Sequence, residues 1–349
     1  MKVKLLYTIS VLSAILVLSC STSNSKAISN NAISTAHPLA SLAGKHMFEQ
    51  NGNAFDAAVA AGFALAVVEP SMSGIGGRLQ ALYHEASGKV GGVDASTQVP
   101  MHYKPQEEKY AYGYETIGIP GVVAGLLKLH GHHGSLPLQT VMEPAIRYAE
   151  EGYQILPLEA KRQQSAQTIF EQFEGTKTHF LNSDGQAFQA GDLVIQKTLA
   201  YTLKQIAAKG KAGFYEGEIA EKMVEDIQAN GGILTLEDLK NYEALHAEVL
   251  EGSFQGTDVY ALNLPSYGAI TIQILQIMDQ LPPPATEEDW AKQFDRVTAL
   301  AYTYRKHQQN RDSLAKILDV KQAKVWADEI EGAELKLVAE AINSMPKSW

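Results

Sequence analysis

The sequence predicts a layered α/β body in which helices outnumber strands. Three observations predict it. Helix-length apolar segments recur from about Thr35 onward, each with its own start and stop residues. A glycine-rich stretch, Ser71 to Gly77, leads into two short extended runs, 79–83 and 90–94, separated by Ser87-Gly88. A second extended pair, 248–254 and 258–262, comes late in the chain. So few strands leave the sheet looking short for a layered α/β body.

In order, the first helix is expected over 38–50, where Pro38 suits a first turn and Gly52 a stop. Asn53 and Asp56 are spaced as an N-cap pair for a second helix over 54–68, almost wholly apolar and rich in alanine, hence buried on most sides. Glu69-Pro70 ends it. Beyond the hairpin, helices are expected over 121–130 behind Pro120, over 138–151 before Gly152, and over 158–173. A loop around Asn182 to Gly185 separates these from helices over 197–209 and 218–230, stopped by Gly210 and by Gly231-Gly232. Thr235 and Asp238 have capping-box spacing. The loop Pro265 to Gly268 precedes an apolar helix over 270–281, halted by Pro282 to Pro284. Thr286 and Asp289 open a long helical segment to about Ala315, and helices over 321–330 and 333–342 follow.

With 349 residues, 45% of them hydrophobic, there is material for one large or two ordinary domains. A formal charge of -10 without clustered Lys or Arg argues against a nucleic-acid partner. The opening segment MKVKLLYTISVLSAILVLSC sets Lys2 and Lys4 before an apolar run, which reads as a signal peptide over 1–19. That run is shorter than the roughly 20 residues a spanning helix needs. Val17-Leu18-Ser19-Cys20 resembles a lipobox, so Cys20 is the expected lipidation site, anchoring the protein to a membrane outside the cytoplasm. Ser21 after it suggests the outer membrane, by resemblance to known lipoprotein sorting. Cys20 is the chain's one cysteine, which excludes an intrachain disulfide. Residues 20–34 are polar and aperiodic, a flexible tether before a body over 35–349.

Other signals carry less. His130, His132 and His133 lie close in sequence, but neighbouring histidines rarely reach one ion with tetrahedral geometry, so no metal is expected. Gly74-Ile75-Gly76-Gly77 lacks the Lys-Ser or Lys-Thr pair of a phosphate loop. Asp94 and Glu69 as a catalytic carboxylate pair find no further support.

Several segments in collinear order resemble the gamma-glutamyltransferase family: His37 to Ala40, Gly52 to Ala60, Glu69-Pro70 with Gly74 to Gly77, and Ile119 to Gly125. The likeness continues through Leu136 to Tyr153, Gly213-Phe214-Tyr215, Gly231-Gly232, Leu236 to Tyr242 and Leu264 to Gly268, covering about Thr35 to Arg311. The resemblance implies an N-terminal-nucleophile hydrolase with an αββα sandwich, made as a precursor that cleaves itself into a large and a small subunit. This chain resembles the helix-rich large-subunit part. The implied partner is a small subunit whose N-terminal threonine is nucleophile and, through its own amine, base; a free α-amine with a reference pKa near 8 suits that task. The implied substrates are gamma-glutamyl amides such as glutathione, with neither metal nor organic cofactor.

Two departures matter. No threonine here has the family nucleophile's setting; Thr178-His179, the nearest look-alike, is expected in a loop between helices, so no catalytic residue is assigned and the chain alone is expected to be inactive. The family's arginine, which the resemblance implies grips the α-carboxylate of the glutamyl group, aligns with Ser96 in Val93 to Pro100. Serine cannot replace a guanidinium fork. Candidate substrate-binding residues are therefore Ser96 itself, Arg78 after Gly76-Gly77 as a cation from the next loop, and Gln98 as a partner for a neutral acyl group. The alternatives are an acylase-like amide hydrolase of the same superfamily and a truncated lipoprotein that binds a ligand or a partner subunit.

Overall fold

In the computed structural model, which describes residues 31–105 and 111–332, Pro38 opens α1 (Pro38–Glu49), and His37 Nδ1 accepts the Leu39 N–H at 3.1 Å. The signal peptide, Cys20 and the helix expected over 333–342 lie outside the described residues. Contacts divide the chain into residues 1–33 and 34–349, and every helix and strand named below belongs to the second unit. Asn53 and Asp56 form the expected reciprocal cap at the start of α2 (Ala54–Val68): Asn53 Oδ1 accepts the Asp56 N–H, and Asp56 Oδ2 accepts the Asn53 N–H. β1 (Leu79–His84) and β2 (Val90–Ala95) make an antiparallel hairpin in the register Leu79↔Ala95, Gln80↔Asp94. α3 (Val122–His133) and α4 (Leu138–Glu151) follow.

The single helix expected over 158–173 is broken. After β3 (Tyr153–Gln154) come α5 (Pro157–Ser165), α6 (Gln167–Phe170) and α7 (Glu174–Phe180). The run Lys161 to Thr168 has no large apolar residue to continue a buried stripe, and Ala166 leaves the helix at ψ 0°. Thr178 and His179 therefore lie within a helix, α7, rather than in the loop expected for them.

β4 (Leu193–Val194), which pairs with β3, leads into α8 (Lys197–Lys209), α9 (Ala212–Tyr215), α10 (Gly217–Ala229) and α11 (Leu236–Asn241), the last opened by the Thr235/Asp238 capping box. The short β5 (Leu245–His246) adds to the free edge of β2, with Asp94 opposite Leu245. β6 (Val249–Phe254) and β7 (Thr257–Leu262) form the second hairpin. α12 (Gly268–Gln280) lies on it and presents Ile270, Ile274 and Ile277 to α13 (Glu287–Thr303) and α15 (Val320–Gly332), where Val297, Ala301 and Trp326 complete a core cluster. The segment expected as one helix to Ala315 divides, because Asn310 caps a new helix, α14 (Arg311–Ile317), by accepting the Ser313 N–H at 2.9 Å.

α2 is enclosed by α1, α3 and α4, which is why its alanines suit it; a Cβ on Gly62 would lie 2.8 Å from a Leu126 methyl. α3 bridges α2 to the first hairpin. A Cβ on its Gly125 would meet Leu79 and Ala95 at 2.5 and 2.6 Å, so the Leu79/Ala95 face of the hairpin is its core face.

Candidate functional site

Three segments meet at the open end of the first hairpin. The Gly121 and Val122 N–H groups, entering α3, donate to the Gly77 carbonyl at 2.8 and 3.2 Å and so fix the end of the glycine-rich loop. A Cβ on Gly121 would lie 2.0 Å from the Ala95 oxygen, so only glycine lets the end of β2 touch the start of α3. The loop's other end is held by Glu159 of α5, a buried carboxylate that accepts both the N–H and the hydroxyl of Ser71.

Behind this junction Tyr215 and Tyr242 stack, their rings 5.7 Å apart and 4° from parallel. The Tyr215 hydroxyl donates to the Pro120 carbonyl at 2.8 Å and accepts the Ala124 N–H at 3.2 Å. The Tyr242 hydroxyl donates to the Ser96 carbonyl at 2.9 Å. Burial raises the Tyr215 phenol well above its ordinary range; burial, then the Asp94 charge, pushes Tyr242 up to about 12. Tyr242 therefore keeps its proton, and its donor role, at any neutral pH.

Ser96 directs both its N–H, at 3.0 Å, and its hydroxyl, at 2.6 Å, to one oxygen of Asp94, Oδ1. The other oxygen, Oδ2, takes no hydrogen bond from the described residues. Arg78 and Ser96 are the next residues on the two strands beyond the Leu79↔Ala95 pair. Strand alternation sets Arg78, Gln80 and Asp94 on the face turned away from α3. The Arg78 guanidinium is exposed and has no ion-pair partner among the described residues. The Gln80 amide nitrogen is sealed from solvent and equally without a partner there.

Gln98 goes elsewhere. It exchanges backbone hydrogen bonds with Ile119, at 3.3 and 2.8 Å, and lines a cleft of about 870 Å³ with Val99, Tyr103, Lys104, Glu115 and Ile233. The wall of that cleft is pinned by Asp238, whose Oδ1 accepts the Met101 N–H at 2.8 Å. Arg78 and Ser96 thus flank the terminal pair of the hairpin, while the cleft that Gln98 lines includes neither of them.

Asp94 is the residue that sequence reasoning undervalued. Its supposed partner Glu69 pairs with Arg162 at 3.2 Å. The signal was present as Asp94-Ala95-Ser96, since an aspartate two residues before a serine is the pattern of a side-chain-closed turn. The three histidines find three different neighbours: His130 reaches the Leu136 carbonyl at 2.9 Å, His132 stacks on His246 at 5.8 Å, and His133 on Phe55 at 4.3 Å.

Residues 40–348 match the family model for gamma-glutamyltranspeptidase. The chain belongs to that family. Among relatives of this gamma-glutamyltranspeptidase family chain, the glutathione hydrolase proenzyme of Pseudomonas sp. (strain A14) is 33% identical over 264 residues, 72% of this chain and 46% of the relative. The family chain therefore spans about half the length of the curated relatives it matches. The Helicobacter pylori gamma-glutamyltranspeptidase structure superposes with a TM-score of 0.84 at 30% identity, covering 91% of this chain and 97% of that one. The cephalosporin acylase of Bacillus halodurans superposes with a TM-score of 0.76 at 28% identity, covering 84% of this chain and 58% of that one. The helix-rich α/β fold of N-terminal-nucleophile hydrolase type, expected from the resemblance, is the fold this gamma-glutamyltranspeptidase family member has.

Proposed function

We propose that this chain supplies the acyl-recognition wall of a gamma-glutamyltransferase-type enzyme that transfers or hydrolyses gamma-glutamyl or related acyl groups. The observation that supports it is the polar end of the first hairpin, where Arg78, exposed and without an ion-pair partner among the described residues, and Ser96 flank the terminal Leu79↔Ala95 pair. Arg78 takes over the carboxylate-gripping role that the family resemblance gives to the position of Ser96, through charge-assisted hydrogen bonds. The nucleophile comes from a small-subunit segment with an N-terminal threonine. Its hydroxyl attacks the amide carbonyl as its own α-amine takes the proton. The leaving amine departs protonated, and water or a second amine then resolves the acyl-enzyme. Neither a metal nor an organic cofactor has a role in these steps.

The test is turnover of gamma-glutamyl-p-nitroanilide. The chain by itself is expected to be inert, and robust release of nitroaniline from it would overturn the reading. Assembled with a threonine-bearing small subunit it is expected to turn over, with Arg78→Ala raising KM for gamma-glutamyl donors at least tenfold; an unchanged KM would remove Arg78 from the site.

A second reading, an acylase acting on uncharged acyl amides, is supported by Ser96 in the arginine's place and by the likeness to a cephalosporin acylase. Gln98 would then hydrogen-bond the neutral acyl group. Faster cleavage of simple acyl amides than of gamma-glutamyl amides by the assembled enzyme would favour it. The placement proposed is extracytoplasmic, through a lipid on Cys20; Cys20→Ser should move the protein from the membrane to the soluble fraction.

A further inference from the structure

We propose that His37, Tyr153, Gln163 and Glu159 enclose a binding site for one internal water molecule, and that through this water His37 and Tyr153 act as positioning residues for the start of the glycine-rich loop. The site lies where the entry to α1, the strand β3 and the helix α5 come together. Three polar atoms there are sealed from solvent and have no hydrogen-bond partner among the described residues: His37 Nε2, Tyr153 Oη and Gln163 Oε1. They are grouped about the buried Glu159 carboxylate. Gln163 Nε2 donates to Glu159 Oε1 at 2.8 Å, His37 and Tyr153 set their rings edge to face at 6.4 Å, and the Glu159 charge acts on both rings. Buried polar atoms without partners are rare in folded chains, so three about one carboxylate point to a partner that they share.

The donor and acceptor roles select the ligand. His37 Nδ1 accepts the Leu39 N–H at 3.1 Å, so the neutral ring carries its proton on Nε2, which is a donor. Burial keeps that ring neutral by lowering its pKa, against the opposing pull of Glu69 and Glu159. Gln163 turns its NH₂ group to the carboxylate and leaves Oε1 as an acceptor. Burial, then the Glu159 charge, raises the Tyr153 phenol, which keeps its proton and can donate or accept. A cation would meet the His37 proton, and an anion would meet the Glu159 charge. A water accepts from His37 Nε2 and donates to Gln163 Oε1, with Tyr153 Oη as its third partner. Glu159 is also the fastening of the loop, since its Oε1 accepts the Ser71 N–H at 3.2 Å and its Oε2 accepts the Ser71 hydroxyl. Holding the groups around that carboxylate therefore limits how far Ser71 can move, whichever acyl group the enzyme takes.

A crystal structure of the full chain and amide hydrogen exchange read by NMR test it. The expected density is one water at about 2.7–3.2 Å from His37 Nε2, Tyr153 Oη and Gln163 Oε1. Direct bonds among these three groups, with no water between them, overturn the site. Two variants then separate the water from the elements around it. His37→Asn keeps the α1 cap, because asparagine is a favoured N-cap residue, and removes the Nε2 donor. Tyr153→Phe keeps the ring and removes the hydroxyl. Each is expected to lower the protection of the Ser71 amide about tenfold and to leave unchanged that of the Gly121 amide, which fastens the loop's other end. Tyr153→Phe should also shift the His37 Nε2 nitrogen resonance, since the two groups share the water. Urea midpoints for each variant confirm that it is folded. Unchanged Ser71 protection in both variants, or a loss spread evenly through α4 and α12, overturns the positioning role.

Discussion

Replacing Asp56 with alanine should cost more stability than the same change at Asp94 or Asp238. Asp56 is fully buried and closes two structures at once. It accepts the Asn53 N–H at 2.9 Å to cap α2, and it accepts the Ser135 N–H at 3.0 Å, the Leu136 N–H at 3.2 Å and the Ser135 hydroxyl to shape the turn between α3 and α4. Truncation strands three backbone donors and a hydroxyl. A buried donor left without a partner costs about 1–3 kcal/mol. Water entering the vacated space relieves part of that, so the expected loss is about 3–5 kcal/mol. Urea unfolding followed by circular dichroism reads it as a lower midpoint at unchanged slope. The sign with pH is also determined. Burial acts to raise the Asp56 carboxyl, but the bonds from Ser135, Asn53 and Leu136 outweigh it, and the net pKa lies below the ordinary value. A carboxyl depressed in the folded state contributes stability that is present above the unfolded value, about 3.9, and lost as pH falls through the folded value. Wild-type stability should therefore decline in acid below about pH 4, and Asp56→Asn should lack that part of the decline. A loss under about 1 kcal/mol for Asp56→Ala would refute the view that this network closes the turn.

Three further outcomes are expected. Gly121→Ala must separate a Cβ from the Ala95 oxygen, 2.0 Å away, by moving backbone; the cost is about 1–3 kcal/mol, seen as a lower Tm. Tyr242→Phe keeps the ring stack and loses the bond to Ser96, costing about 0.5–1.5 kcal/mol. Because the Tyr242 pKa is raised to about 12 in the folded state, its contribution is present below the unfolded value near 10 and is lost as pH rises toward 12, so the phenylalanine variant should unfold less steeply with alkali in a pH titration. Asp238→Ala releases the Met101 N–H and the Thr235 cap together, and limited proteolysis should then cut within residues 97–105 faster than in wild type, with stability lower by about 1–3 kcal/mol.

Elements bounded by local chemistry were legible in the sequence. Asn53 with Asp56, Thr235 with Asp238, and Pro38 marked helix starts because each acts on backbone groups within one turn. The break at Ala166 and the separate α14 have local signals too, the polar run Lys161 to Thr168 and the Asn310 cap, but neither is a glycine or proline stop, so each was passed over within a longer helical segment. β5 is two residues long and exists only because β2 offers an edge. At the site, the position of Arg78 and Ser96 at the two ends of the hairpin's terminal pair follows from its register, which the strand limits foreshadowed. Asp94 did not stand out, since its significance lies in which oxygen Ser96 occupies and which it leaves. Gln98 is close to Ser96 in sequence, but it bridges to Ile119 and lines a cleft whose lining does not include Ser96.

The glycine-rich loop is fastened at Ser71 by Glu159 and at Gly77 by the first N–H groups of α3. That gives it a phase as well as a position. One residue inserted between Arg78 and Leu79 would turn the Arg78 side chain toward α3, because strand side chains alternate with period two. Between the two fastenings the space is open: a Cβ on Gly74 or Gly76 meets no described atom within 4 Å. Changes of length across a set of relatives should thus accumulate between Met72 and Gly76 and be absent from the junction with β1, where a single-residue shift would exchange a charged wall for a buried one.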